Sequence, residues 1–255
     1  MLAIRGSYRA ILATYVLTMA AALLLAYPPP QEVPPEGKDV GTAGVVFGYV
    51  LLATAVFLLL IKFFPKAFKY LVLALELFFL FTTTAVIVIS YDLPIILPFF
   101  AVAARLLWRD NLAVQNVSAA VITSVATAVV GNSLDPAVAV FLLAILSVYD
   151  CVSVFVTKHM VLLAKALSTG GPLQKKGTKI HLLGAGDIAV PGVLAVSLLK
   201  VSPAAAVAAA VGACLGLAYT VELAKKWGRV LPALPTIALC ELTFTAVGLA
   251  LLWSP

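Results

Sequence analysis

The chain has 255 residues, of which 63% are hydrophobic and only 11% charged, with a mean hydropathy of +1.12. A water-soluble domain carries about a quarter charged residues, so lipid must be the solvent for most of this surface. Net charge is +6, but in a membrane chain the placement of Lys and Arg says more than their sum, and a nucleic-acid reading is set aside.

Nine apolar stretches reach the roughly 17–25 residues that a bilayer-spanning helix needs. They cover 8–27, 43–61, 68–90, 93–108, 111–131, 136–158, 180–200, 203–222 and 232–253. The expected architecture is all-α and polytopic, a single transmembrane domain over 1–255. Arg5 and Arg9 before the first run also fit a secretory signal, but Ala10 to Ala26 is long for one and reads as an anchor. Pro28-Pro29-Pro30 and Pro34-Pro35 make the first connection a stiff loop, because consecutive prolines cannot continue a helix. The fourth stretch is short and starts at Pro94 and Pro98. Ser168 to Lys179, with Gly170-Gly171-Pro172 and Lys175-Lys176, reads as a flexible connector. Cys151, Cys214 and Cys240 lie scattered in apolar runs and read as buried thiols.

Alternating the connections sorts the basic residues. One side collects Arg5, Arg9, Lys62, Lys66, Lys69, Arg105, Arg109, Lys158, Lys165, Lys175, Lys176, Lys179, Lys225, Lys226 and Arg229. The other keeps Lys38 and Lys200 with Glu32, Glu36, Asp39, Asp92 and Asp135. Basic loops stay in the cytoplasm, so the expectation is a multi-pass cell-membrane protein with its N-terminus cytoplasmic and its C-terminus extracellular.

Four carboxylates fall inside apolar stretches: Glu76, Asp150, Asp187 and Glu241. Such groups are costly in lipid and mark function by default. With a rise of about 1.5 Å per residue, Asp150 lies about 12 Å from the cytoplasmic edge and Asp187 about 11–12 Å, on consecutive antiparallel helices. Two aspartates at one level share a proton, so the ionised one can activate water while the protonated one donates to a peptide carbonyl. This chemistry requires no metal and no organic cofactor. Gly184 and Gly186 strip bulk from the approach to Asp187, and Pro191 removes a helical hydrogen bond just after it. Ordinary small-residue helix packing explains such glycines equally well. Leu231-Pro232-Ala233-Leu234-Pro235 opens the last stretch, either as irregular backbone lining a cavity or as a helix start that favours proline. Glu76 and Glu241 read first as protonated acids hydrogen-bonded inside the bundle.

Tyr149-Asp150, Gly184-Ala185-Gly186-Asp187 and Pro232-Ala233-Leu234, in that order and in spans six, seven and nine, resemble the presenilin and signal peptide peptidase family. The resemblance covers nearly the whole chain. It implies that Asp150 and Asp187 are the catalytic pair of an intramembrane aspartyl endopeptidase cutting transmembrane helices. It also implies that Tyr149, Gly184, Gly186, Pro232, Ala233 and Leu234 border the site and engage substrate, with no metal and no cofactor. GAGDIAVPG at 184–192 looks like the signal peptide peptidase branch; LPALPTI at 231–237 and the cytoplasmic N-terminus look like presenilin. Signal peptide peptidases sit the other way up and prefer type II substrates, so the charge pattern implies type I substrates here. The compact chain looks like a prokaryotic, archaeal or bacterial, homologue. It lacks the long insertion that presenilins cleave in themselves, so self-cleavage is not expected. The expected partners are transmembrane substrates and the lipid bilayer, with a homo-oligomer left open.

The histidines exclude other proteases. His159 and His181 make no H-E-x-x-H pair for zinc and sit too near the membrane edge to serve a buried serine. A Gly-x-Gly-Asp motif also occurs in prepilin peptidases, usually followed by lysine; here Ile188 and Ala189 follow. The alternative of another class is a transporter or channel using the carboxylates as a proton or cation relay, though the two halves show no internal repeat.

Overall fold

The computed structural model describes residues 3–30, 32–157, 181–227 and 231–253. Nine bundle helices and one short surface helix make up most of the described residues. They are α1 (Tyr8–Leu25), the short α2 (Pro35–Lys38), α3 (Val40–Phe63), α4 (Pro65–Ser90), α5 (Leu97–Leu107), α6 (Leu112–Ser133), α7 (Pro136–Cys151), α8 (Gly186–Ser197), α9 (Pro203–Trp227) and α10 (Leu234–Trp253). Six are long and apolar enough to cross a bilayer by length and composition, and α5 and α10 are shorter apolar helices. Leu24, Ile89 and Leu107 are 73%, 76% and 76% exposed, which only a hydrocarbon solvent tolerates along whole helix faces.

Sequence punctuation sets most helix starts. An N-terminal turn leaves backbone N–H groups without helical partners, and a short polar side chain can take one of them. Asp39 accepts from the Gly41 N–H at 2.9 Å, Asn111 from Ala113 at 2.9 Å, Asp135 from Ala137 at 3.0 Å and Ser202 from Ala204 at 3.1 Å. Pro65, Pro136 and Pro203 occupy first-turn positions where no donor is needed. Lys200, at the end of the 3-10 turn Leu198–Lys200, donates through Nζ to the carbonyls of Gly131 (3.1 Å) and Leu134 (2.6 Å), closing the C-terminal end of α6.

The centre of the bundle is α8. Leu194, Ala195, Val196 and Ser197 have no exposed surface, because α6, α9, α7, α1 and α10 surround it. A helix apolar on every face must be enclosed in this way. Small residues let the neighbours close in. A Cβ on Gly192 would stand 2.6 Å from Thr127 Cγ2, one on Gly131 2.5 Å from Val196, and one on Gly216 2.7 Å from the Ile237 Cα.

One local feature is not helical. β1 (Ala3–Gly6) pairs antiparallel with β2 (His181–Gly184), in the register Ala3↔Gly184, Ile4↔Leu183, Arg5↔Leu182 and Gly6↔His181. The first apolar span is thus preceded by a strand, and the stretch expected to begin the seventh span at 180 enters as a strand with helix only from Gly186. The connector at Ser168 to Lys179, with Lys158, Lys165 and His159, lies outside the described residues, as does Arg229.

Candidate active site

Asp150 stands on the last full turn of α7, just before the chain widens into a π-helical segment, Val152–Thr157. The Ser153 hydroxyl donates to the Asp150 carbonyl at 2.9 Å. Single π turns inside α-helices loosen the backbone ladder and are frequent at functional sites. Asp187 is in the first turn of α8 and carries a small accessible surface, as Asp150 does. The two carboxylates lie within direct electrostatic reach, and the Gly184 backbone N–H is directed at Asp187. Sequence spacing puts both groups at one depth, and the helices that carry them, α7 and α8, pack against one another.

Pro191 sits inside α8 and is buried. Lacking an N–H, it leaves the Asp187 carbonyl without the donor that a helix would supply four residues on.

Pro232-Ala233-Leu234 leads from irregular backbone into a helix start. Residues 231–233 are irregular, Pro232 and Leu234 are buried, and α10 begins at Leu234 with Pro235 in its first turn. No polar side chain precedes this helix to take its free N–H groups. Asp150 does so from another helix: its Oδ2 accepts from the Leu234 N–H at 3.1 Å, and the Ala233 N–H is also directed at it. A helix start favours an anion because its N–H groups and dipole are positive there. The motif thus reaches the first aspartate through main chain, and a helix-capping pattern read within α10 alone could not show it.

One expectation needs correction. Gly186 does not serve close helix approach among the described residues, none of which a Cβ there would meet within 4 Å. Tyr149, next to Asp150, also packs edge-on against Phe47 of α3, with ring centroids 5.8 Å apart and planes at 79°.

The other two intramembrane carboxylates separate in role. Glu76 is bonded to a cation rather than to a neutral partner. Arg105 grips it through both nitrogens of one edge, Nε to Oε1 at 2.6 Å and Nη2 to Oε2 at 3.1 Å, and Nη1 donates to the Arg109 carbonyl at 3.1 Å. The pair ties α4 to α5. Glu241 is fully buried on α10, and neither carboxyl oxygen has a hydrogen-bond partner among the described residues, against the expected bonded acid. The equally buried Tyr15 hydroxyl is also unpartnered there, and it lies within electrostatic range of Glu241 and Asp187. Nothing in the sequence around Tyr15, in the middle of an apolar run, marks it as a neighbour of Asp187. Among the described residues no three His, Cys, Asp or Glu side chains cluster as a metal site would require.

The fold is that of solved presenilin-family structures. One, a presenilin family intramembrane aspartate protease in space group C222, superposes with a TM-score of 0.71 over 95% of this chain and 97% of its own length, at 22% identity. A second, in space group P2, gives 0.72 over 96% and 98%, at 23% identity. No protein-family model and no curated protein sequence matches the chain.

Proposed function

We propose that this protein is a member of the presenilin and signal peptide peptidase family and an intramembrane aspartyl endopeptidase, with Asp150 and Asp187 as its catalytic pair. The observation that carries the reading is the meeting of these two carboxylates inside the bundle, with the Pro-Ala-Leu backbone bonded to one of them. Two close carboxylates cannot both ionise, so one holds the shared proton. The ionised oxygen draws a proton from a water molecule as that water attacks the scissile carbonyl carbon. The protonated aspartate donates to the carbonyl oxygen, giving a tetrahedral diol. Collapse of the diol breaks the C–N bond as a carboxyl group returns the proton to the leaving nitrogen. Pro232, Ala233 and Leu234, with Gly184 and Gly186, border this centre and supply the substrate's berth.

The charge division supports a cell-membrane protein with a cytoplasmic N-terminus, an extracellular C-terminus and type I transmembrane substrates. The relay alternative is weaker because Glu76, one of its members, is held by Arg105.

Purified protein incubated with a generic single-span substrate, with and without a transition-state analogue of aspartyl proteases, tests the reading. Cleavage that the analogue blocks is expected. Absence of cleavage and of analogue binding, with pH-dependent cation or proton flux in vesicles, would establish the relay instead.

A further inference from the structure

We propose that Tyr15 and Glu241 hold an internal water behind Asp187, and that this water turns the Tyr15 hydroxyl onto the Asp187 carboxyl group and fixes its rotation. The proposal rests on the protease reading above. Neither Tyr15 nor Glu241 has any exposed surface. Among the described residues, the Tyr15 hydroxyl and both Glu241 carboxyl oxygens lack a hydrogen-bond partner. Buried polar atoms left in that state are costly, and protein interiors relieve the cost with water where two or more such groups converge.

Helix placement brings these groups together beside the dyad. Leu234, Ile237, Ala238, Glu241 and Thr245 form a buried stripe along α10, and Leu234 is the residue whose N–H meets Asp150. Glu241, seven residues on, lies on the same face, about 10 Å further along the helix. Tyr15 comes from α1, which packs against α8 and runs in the same direction. Both helices end beside the end of α6: Asn132 Nδ2 donates to the Ala26 carbonyl at 3.3 Å, and Lys200 reaches the Gly131 and Leu134 carbonyls. Met19 Sδ stands 3.3 Å from the position of a Cβ on Gly192. One turn earlier on each helix are Tyr15 and Ile188, so Tyr15 is level with the turn that carries Asp187. It lies within electrostatic range of Glu241, Cys214 and Asp187 together. Cys214 of α9, also near Glu241, offers only a thiol, a weak hydrogen-bonding group.

The Tyr15 hydroxyl has one proton to donate, and two carboxyl groups compete for it. A water bonded to Glu241 can donate to the phenol oxygen, which leaves that proton for Asp187. The last torsion of an aspartate is broad, so a bond from behind decides which of its oxygens faces Asp150. Tyr15 is thus a positioning residue, and Glu241 acts through it.

Two arms test this in the full-length protein. A crystal structure that resolves buried waters should show one within about 3.2 Å of both Tyr15 Oη and a Glu241 oxygen, with the hydroxyl equally close to Asp187. A direct Tyr15–Glu241 bond with no water between them overturns the proposal. In the second arm rates are counted per analogue-binding site, so that unfolded protein does not enter. Tyr15→Phe keeps the ring and removes the donor. It is expected to lower kcat for a helical substrate about tenfold while KM stays within about twofold, because the misplaced group is catalytic and the ring touches no substrate. Glu241→Leu cannot hold the water and should show the same split; Glu241→Gln can, and should recover most of kcat. Wild-type kcat in Tyr15→Phe, or equal loss in Glu241→Gln and Glu241→Leu, overturns the proposal. Where the Glu241 variants do not fold, Tyr15→Phe and the water decide. If wild-type protein cleaves nothing, the protease reading fails and the positioning role with it, while the crystal structure still judges the water site.

Discussion

Asp150 serves two structures at once. Its Oδ2 caps the first turn of α10 at Leu234, and in the proposed reaction the same carboxyl group shares a proton with Asp187. The two duties separate by substitution. Asn keeps an acceptor oxygen for the Leu234 N–H but cannot exchange the proton; Ala loses both. Proteolysis should fall by at least about a thousandfold in Asp150→Asn, Asp150→Ala and Asp187→Asn, as expected when an acid–base group is removed. Asp150→Ala should in addition be less stable than Asp150→Asn by about 1 kcal/mol, the usual worth of an N-terminal cap, read as a lower melting temperature in detergent. Equal stability of the two variants would remove the capping role. Glu76 offers a contrast, because it is paired with Arg105 rather than with the aspartates. Arg105 and Glu76 are 8% and 15% exposed, so removing the guanidinium strands a charge. Arg105→Met should cost about 3 kcal/mol, and the double change Arg105→Met/Glu76→Leu should recover most of it. The ratio of cleaved to bound substrate should not move in either.

At the scale of elements, α9 and α10 form the closest-packed pair around the site. Gly216 meets the Ile237 Cα and Gly212 the Glu241 Cα, both main chain that cannot rotate away. Gly216→Val should destabilise the fold by about 1–3 kcal/mol and displace α10, carrying Leu234 away from Asp150. Thermal unfolding checks the first effect, and loss of cleavage at temperatures where the variant is folded checks the second. The start of α10 is the other sensitive element. Leu234→Gly removes a buried side chain that seats the turn, and Pro235→Leu removes the constraint on its first-turn φ. Both should impair turnover of a helical substrate severely while a small analogue still binds at the dyad. In the proposed reaction such a substrate must unwind, and its freed backbone groups then need partners inside the membrane. Wild-type rates in both variants would reduce the segment to a helix cap.

The whole molecule is a multi-span membrane protein, and its proposed orientation follows from charge. Lys62 lies in the last turn of α3 and Glu36 in α2, just before the other end of α3, and both are exposed. Single-cysteine labels in a background lacking the native cysteines should react from the cytoplasmic side at position 62 and from the outer side at position 36. The reverse pattern would turn the molecule over, and with it the preference for type I substrates.

Much of this was determined by the sequence itself. Hydropathy fixes which segments enter lipid, and most helix starts carry their own cap or proline, as at Asp39, Asn111, Asp135-Pro136 and Ser202-Pro203. Both signals are local, acting within one helix length. Helical rise and chain alternation likewise put Asp150 and Asp187 at one depth, because span geometry leaves little freedom along the membrane normal. Only the tertiary structure decided what lies across the bundle. Position along the normal says nothing of which helix faces which, so Arg105 as the partner of Glu76 and Tyr15 as a neighbour of Asp187 carry no sequence signal. The same holds for Leu234 and Asp150, since the acceptor that α10 lacks locally comes from a residue 84 positions earlier. It holds also for β1 and β2, whose pairing depends on main-chain groups brought together from distant parts of the chain, Ile4 against Leu183 and Gly6 against His181, and main chain is the one part of a protein that every residue shares.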